Sequence, residues 1–279
     1  MVIDIHTHTF PDRIAPMAID KLKHASRTIP FSDGTVSGLC ASMEHAGVDW
    51  SVVLPVATNP AKTASLNDAS IAQTGKHGLI HFGAIHPDTP DALSELERIA
   101  QAGLKGVKIH PVYQGVDIDD PRYLRILDKA GQLGLIVLMH AGEDIGFPGV
   151  VRCSPEMTAR TLRQAGPVKV ICAHMGGWHN WNEVVDYLGP TSVMLDTAFT
   201  LGEITPLEEG DYTKEERLML AGEPFVQLIK AFGSERILFG SDSPWADQAT
   251  YIEQFCALDL TQEEKRNILG ENARKLLGI

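Results

Sequence analysis

The chain has 279 residues, 44% of them hydrophobic, and a formal net charge of −12. That length and apolar content suit a single α/β barrel, which commonly takes ~250 residues, whereas the acidic balance argues against nucleic acid as a partner. No apolar run approaches the ~20 residues needed to span a bilayer. The first residues lack the basic region of a secretory leader, and Cys40, Cys153, Cys172 and Cys256 form no C-x-x-C pair, so a cytoplasmic, reduced protein is expected.

Short apolar runs alternate with longer amphipathic segments. In chain order the runs are "VIDIH" (2–6), "WSVVLPV" (50–56), "LIHFGAI" (79–85), "GVKIH" (106–110), "LIVLMH" (135–140), "VKVICAH" (168–174), "SVMLD" (192–196) and "RILFGSD" (236–242). They are of strand length and rich in Val and Ile. The segments between them carry helix signals. Thr89-Pro90 reads as an N-cap and first helical residue, with Leu93, Leu96 and Ile99 following at helical spacing and Gly103 closing the helix. Asp120-Pro121 and Ser154-Pro155 repeat that start, and Thr261-x-x-Glu264 is a capping box. The polar, acidic stretch 200–217 reads as a surface excursion. Alternating strands and helices imply a parallel sheet, and eight such units imply a closed (β/α)8 TIM barrel. With no low-complexity linker, one domain over 1–279 is expected.

In that fold the active site lies at the C-terminal ends of the strands. The polar residues there are His6 and His8 on the first, Lys108 and His110 on the fourth, His140, His174, Asp196 and Asp242 on the last four. Side chains alternate along a strand, so His6 and His8 share a face. Two imidazoles side by side, completed by His140 and Asp242, make a nitrogen-rich site with one carboxylate. Such a site suits one divalent ion, Zn²⁺ first, with Mn²⁺, Fe²⁺ or Co²⁺ as options. A lone strand-end histidine is ordinary; four separate strands presenting ligand-type residues at one end are not. If Lys108 faces the interior, its ammonium is costly unless it meets a negative group, so it is a candidate for holding a substrate carboxylate. Arg152, in the loop after the fifth strand, is a candidate anion clamp, and His110 and Trp178 are candidate pocket residues. Trp181 and Trp245 are further aromatic wall candidates.

The chain resembles the amidohydrolase superfamily in its amidohydrolase-related (amidohydrolase 2) branch, which also contains aminocarboxymuconate semialdehyde decarboxylase-like enzymes. "VIDIHTHTF" resembles the first strand of that branch, "GVKIHP" the fourth, "LMHAG" the fifth, "AHMGG" the sixth, "ILFGSDSPW" the eighth and "ILGENARKLLGI" the closing helix. The resemblance implies a mononuclear site with His6, His8, His140 and Asp242 as ligands and His174 beside the metal-bound water. A bound divalent ion lowers the pKa of its water from 15.7 to ~7. Asp242 would then move the proton, and His174 would orient the nucleophile or hold the oxyanion. Other branches carbamylate the strand-four lysine to bridge two metals, which leaves a second role open for Lys108.

Decarboxylases of the branch carry Gly-Glu after the sixth-strand histidine. Here the run is "AHMGGWHNW", with Gly177 in that place, and the chain is shorter than typical decarboxylases. Both points favour hydrolysis of an amide, ester or lactone of a small carboxylated substrate. The alternative is non-oxidative decarboxylation of an unsaturated or aromatic acid; a non-catalytic metal-binding barrel comes third. The expected partner is a small molecule, with no nucleic acid and no membrane, and a homo-oligomer is left open.

Overall fold

The computed structural model describes residues 1–279. Its strands are β1 (Ile3–Thr7), β2 (Trp50–Val53), β3 (Leu79–His81), β4 (Gly83–Ala84), β5 (Gly106–Ile109), β6 (Ile136–Met139), β7 (Glu143–Asp144), β8 (Phe147–Val151), β9 (Lys169–Cys172), β10 (Met194–Asp196) and β11 (Ile237–Leu238). All eight apolar runs of the sequence contain strand, though "LIHFGAI" divides into β3 and β4 and "RILFGSD" keeps only two residues of ladder. No helix is long and apolar enough to cross a membrane.

By its internal contacts the chain forms two compact units. The first takes residues 1–52, 145–148 and 196–279, and the second takes 53–144 and 149–195.

In the first unit, β1 is bonded to residues after β11: Ile5 N–H donates to Phe239 O at 2.9 Å. On its other side Thr7 Oγ1 donates to Val52 O at 2.9 Å. Just beyond β10, Thr197 N–H donates to Leu238 O at 3.0 Å. Ile3, Ile5, Leu39, Phe225, Phe232, Phe239 and Phe255 are fully buried or nearly so. The stretch 200–217 is anchored: Tyr212 OH donates to Ser26 O, and Arg27 lies 4.8 Å over the Tyr212 ring. A capping box, Thr213 with Glu216, starts the short helix Lys214–Arg217 that closes this stretch.

In the second unit, β4, β5, β6, β9 and β10 form a parallel ladder in that order. Val107 pairs with Val137, and Met139 with Cys172. Buried β-branched and long aliphatic residues fill these strands, as expected of a sheet covered on both faces. Helices Pro121–Gln132 and Pro155–Leu162 start at Asp120 and Ser154, whose side chains accept backbone N–H groups of the first turn. The Thr89-Pro90 start is corrected. That helix is Ala92–Gln101, with Asp91 before it at φ 54°. Thr89 Oγ1 is used elsewhere, 2.8 Å from Thr63 Oγ1 and accepting the His86 N–H, so it caps nothing.

Candidate functional site

The first unit brings together His6, His8 and Asp242. His6 and His8 project from the same face of β1 and its extension, ring centroids 5.1 Å apart. Asp242 Oδ1 lies 3.5 Å from His6 Nε2 and 3.1 Å from His8 Nε2. For ligand bonds of 2.0–2.2 Å, a tetrahedral site has edges of about 3.3 Å. Both Asp242 separations are near that length, and all three ligand atoms lie within 4.8 Å of one another, so the donor set suits a divalent ion. Backbone bonds hold the two segments in register: Asp242 N–H donates to His6 O at 2.9 Å and His8 N–H to Ser243 O at 2.7 Å. Asp242 itself sits at φ 70°, in the left-handed region that non-glycine residues rarely occupy.

Behind His6 stands Asp196, fully buried, with Oδ2 2.8 Å from His6 Nδ1. A carboxylate only accepts, so His6 carries its proton on Nδ1 and presents the Nε2 lone pair toward Asp242. This carboxylate–imidazole arrangement is how proteins orient metal-binding histidines. The sequence marked Asp196 as a strand-end residue but gave it no role. Asp4, treated there only as a break in an apolar run, is also fully buried. Desolvation pushes its carboxyl up to about 6 against the pull of its hydrogen bonds.

The second unit brings together His110, His140, His174 and Asp144, which the sequence reading passed over. His140 stacks on His110, centroids 4.1 Å apart and planes 11° from parallel. His140 Nδ1 lies 3.0 Å from His174 Nε2, and His140 Nε2 lies 3.2 Å from Glu143 O. Asp144 Oδ2 is 3.4 Å from His110 Nε2 and 3.9 Å from His140 Nε2. Burial, helped by the neighbouring His110 and His174, holds His140 well below the ordinary imidazole range, so the ring is neutral. Lys108, on β5, is 1% exposed. His174 and Met175 both adopt positive φ, 58° and 53°.

Trp178 is buried in the second unit. Its N–H donates to Ala141 O at 3.0 Å and its carbonyl accepts from Glu143 N–H at 3.0 Å. Gly142 makes this contact possible: a Cβ there would come within 2.3 Å of both Trp178 N and O. The Trp178 ring stacks on His179 at 3.7 Å, and His179 Nδ1 lies 3.5 Å from Glu143 Oε2, a pair the sequence reading also missed. Trp181 Nε1 donates to His174 O at 3.0 Å. Trp245, in the first unit, lines a small cavity of ≈ 70 Å³ with Phe31 and Phe199. Arg152 is partly exposed and spends its guanidinium on Asp117, Nη1 to Oδ1 at 2.8 Å, so its expected anion-clamp role has no support in this geometry.

The model of the amidohydrolase family matches residues 3–279. The chain belongs to this family. Among curated proteins it is similar to a 2-amino-3-carboxymuconate-6-semialdehyde decarboxylase of Dictyostelium discoideum, 23% identical over 236 residues. That match covers 77% of this chain but 66% of the relative's length. Among solved structures it is similar to an uncharacterised TIM-barrel protein from Bordetella bronchiseptica, with TM-score 0.75, 18% identity and coverage of 99% and 98% of the two chains. It is also similar to a dihydroxybenzoic acid decarboxylase from Polaromonas holding manganese and 2-nitroresorcinol, with TM-score 0.69, 15% identity and coverage of 99% and 96%. The chain is thus a family enzyme with the TIM-barrel fold, as the strand pattern implied.

Proposed function

We propose that this family member is a metal-dependent carboxy-lyase that releases CO2 from a small unsaturated or aromatic acid. The observation that carries the reading is the His6–His8–Asp242 set, with ligand separations suited to one divalent ion, in a chain similar to a curated decarboxylase. A divalent ion there supplies a positive pole for the substrate's carboxylate and adjacent oxygen. Zinc and manganese both accept this donor set. The resemblance adds His140 as a fourth ligand.

Decarboxylation replaces the carboxylate by a proton on the same carbon. The carbon–carboxylate bond breaks, its electron pair stays with the carbon skeleton, and CO2 leaves. Asp242, buried and in contact with His8, is the residue assigned to take a proton from solvent water and pass it to that carbon. His174 is assigned to hold developing negative charge on oxygen, and Lys108 to hold a substrate carboxylate.

Hydrolysis of an amide, ester or lactone is the second reading, and one observation favours it. Position 177 carries no carboxylate, and a Cβ there would already lie 3.0 Å from Pro155 Cγ. The experiment is a panel of hydroxybenzoates and aminomuconate-type acids labelled with ¹³C in the carboxyl group, assayed in H₂¹⁸O. Labelled CO2 with no ¹⁸O in the organic product is expected. Incorporation of ¹⁸O into a product acid, without CO2 release, would replace the decarboxylase reading by hydrolysis.

A further inference from the structure

We propose that Asp4 is a positioning residue that sets the spacing of the metal-holding side chains. This inference rests on the reading of His6, His8 and Asp242 as ligands. Asp4 precedes His6 by two residues on β1, so positions 4, 6 and 8 share one face of the strand. Its carboxylate is 0% exposed and accepts four hydrogen bonds. Oδ1 accepts the backbone N–H of His6 at 3.1 Å and that of Ser241 at 3.0 Å. Oδ2 accepts the Ser241 hydroxyl at 2.5 Å and Gln248 Nε2 at 2.7 Å. Ser241 Oγ in turn accepts the Ser243 N–H at 3.0 Å.

One carboxylate therefore grips the amide of ligand His6 and the residue immediately before ligand Asp242. Through the Ser241 hydroxyl it also reaches the residue immediately after Asp242. The separations that suit a metal, 3.5 Å and 3.1 Å, lie between the two segments so joined. Gln248 shows what the clamp demands of its surroundings. To donate to Asp4 it turns its Oε1 into a buried position with no hydrogen-bond partner. A buried oxygen left unpaired is costly, so the amide is oriented by Asp4 and not by its own best arrangement.

The test compares Asp4→Asn, Asp4→Ala and Gln248→Met with the unaltered protein and with His8→Ala. Co²⁺ affinity is measured by competition with a chromogenic chelator, and the visible absorption of the Co²⁺-loaded protein is recorded. Melting temperature and circular dichroism report the folded fraction. Loss of an outer partner of a metal ligand typically costs about 10–100-fold in metal affinity. Asp4→Asn is expected to stay folded, bind Co²⁺ ~10–100-fold more weakly and shift the Co²⁺ bands. Asp4→Ala, where it folds, is expected to show the larger effect and Gln248→Met the smaller. Wild-type Co²⁺ affinity and spectrum in folded Asp4→Asn and Gln248→Met, with binding abolished in His8→Ala, would overturn the positioning role and leave the metal reading intact. No Co²⁺ binding by the unaltered protein would overturn both.

Discussion

Each of the two compact units gathers histidines around an aspartate, and the partners of the distant ring nitrogens set them apart. In the first unit the remote nitrogen of His6 faces Asp196, which can only accept, so the proton stays on Nδ1 and the lone pair points at Asp242. In the second unit the proton sits on the other nitrogen. His110 Nδ1 accepts from the Tyr113 N–H, which leaves its proton on Nε2, toward Asp144. His140 Nε2 faces the Glu143 carbonyl, again an acceptor only, while its Nδ1 is free to accept from His174. Both sets contain ligand-type atoms at short separations. In the first the tautomer of His6 is fixed for a cation; the second is arranged as a hydrogen-bonding chain. For His140 to ligate through Nε2, its proton must move to Nδ1, with His174 Nε2 as acceptor.

The sharpest way to break this contrast is metal content. Structural zinc sites of four ligands are worth about 10–16 kcal/mol, so one ligand shared evenly accounts for roughly 10²–10³ in affinity. His8→Ala is expected to lose metal on that scale, and His110→Ala to keep the wild-type stoichiometry when both are measured by mass spectrometry of the elements. Metal lost equally from both variants would erase the distinction.

A smaller effect concerns how the second unit treats imidazoles that no metal would need. His81, on β3, is 5% exposed, and its Nε2 has no hydrogen-bond partner. Burial depresses it from 6.5 to about 4. The folded form resists the proton that the unfolded chain accepts, so its contribution to stability is complete above pH 6.5 and is lost as pH falls toward 4. The whole span amounts to at most about 3 kcal/mol. Urea melts of His81→Phe against wild type between pH 7 and pH 4 should show the variant with the flatter dependence; parallel curves would mean that His81 is solvated.

The smallest change tests the carboxylate that fixes the first set. Asp196→Asn keeps the shape but can offer an N–H to His6 Nδ1, favouring the wrong tautomer. A loss of ~10–100-fold in metal affinity is expected, with little change in melting temperature of the metal-free protein. An unchanged affinity would show that the β1 backbone alone orients His6.

Much of this arrangement was readable in the residues, and the limits have physical causes. Runs of Val and Ile announced the strands because period and composition are local properties. "RILFGSD" shortened to Ile237–Leu238 because side chains take over from the ladder beyond it: Thr197 Oγ1 donates to Gly240 O and accepts from Gly240 N–H. Thr89 carried a helix-start signal, yet a distant partner, Thr63, claimed its hydroxyl. Arg152 looked available until Asp117 appeared beside it. The same holds for the site. His6, His8 and Asp242 were legible because residue type and strand end coincide. Asp4 shares their alternation and could have been noticed on that ground, but its partners Ser241 and Gln248 lie 237 and 244 positions away. Asp144 sits past the end of β6, in a loop whose path no periodicity describes.

That distance of 237 positions between Asp4 and Ser241 governs when the protein can acquire an ion during its own synthesis. Ribosomes extend a chain at about 5–20 residues per second, so β1 waits on the order of ten to fifty seconds for the segment that bears Asp242. Through that interval β1 lacks its neighbour after β11, and an apolar strand with an unpaired edge invites association with other chains. Metal capture by the first set is therefore a late event, following the joining of segments far apart in the chain. A ribosome-stalled chain ending before residue 241 should hold no ion at His6 and His8, however much metal surrounds it.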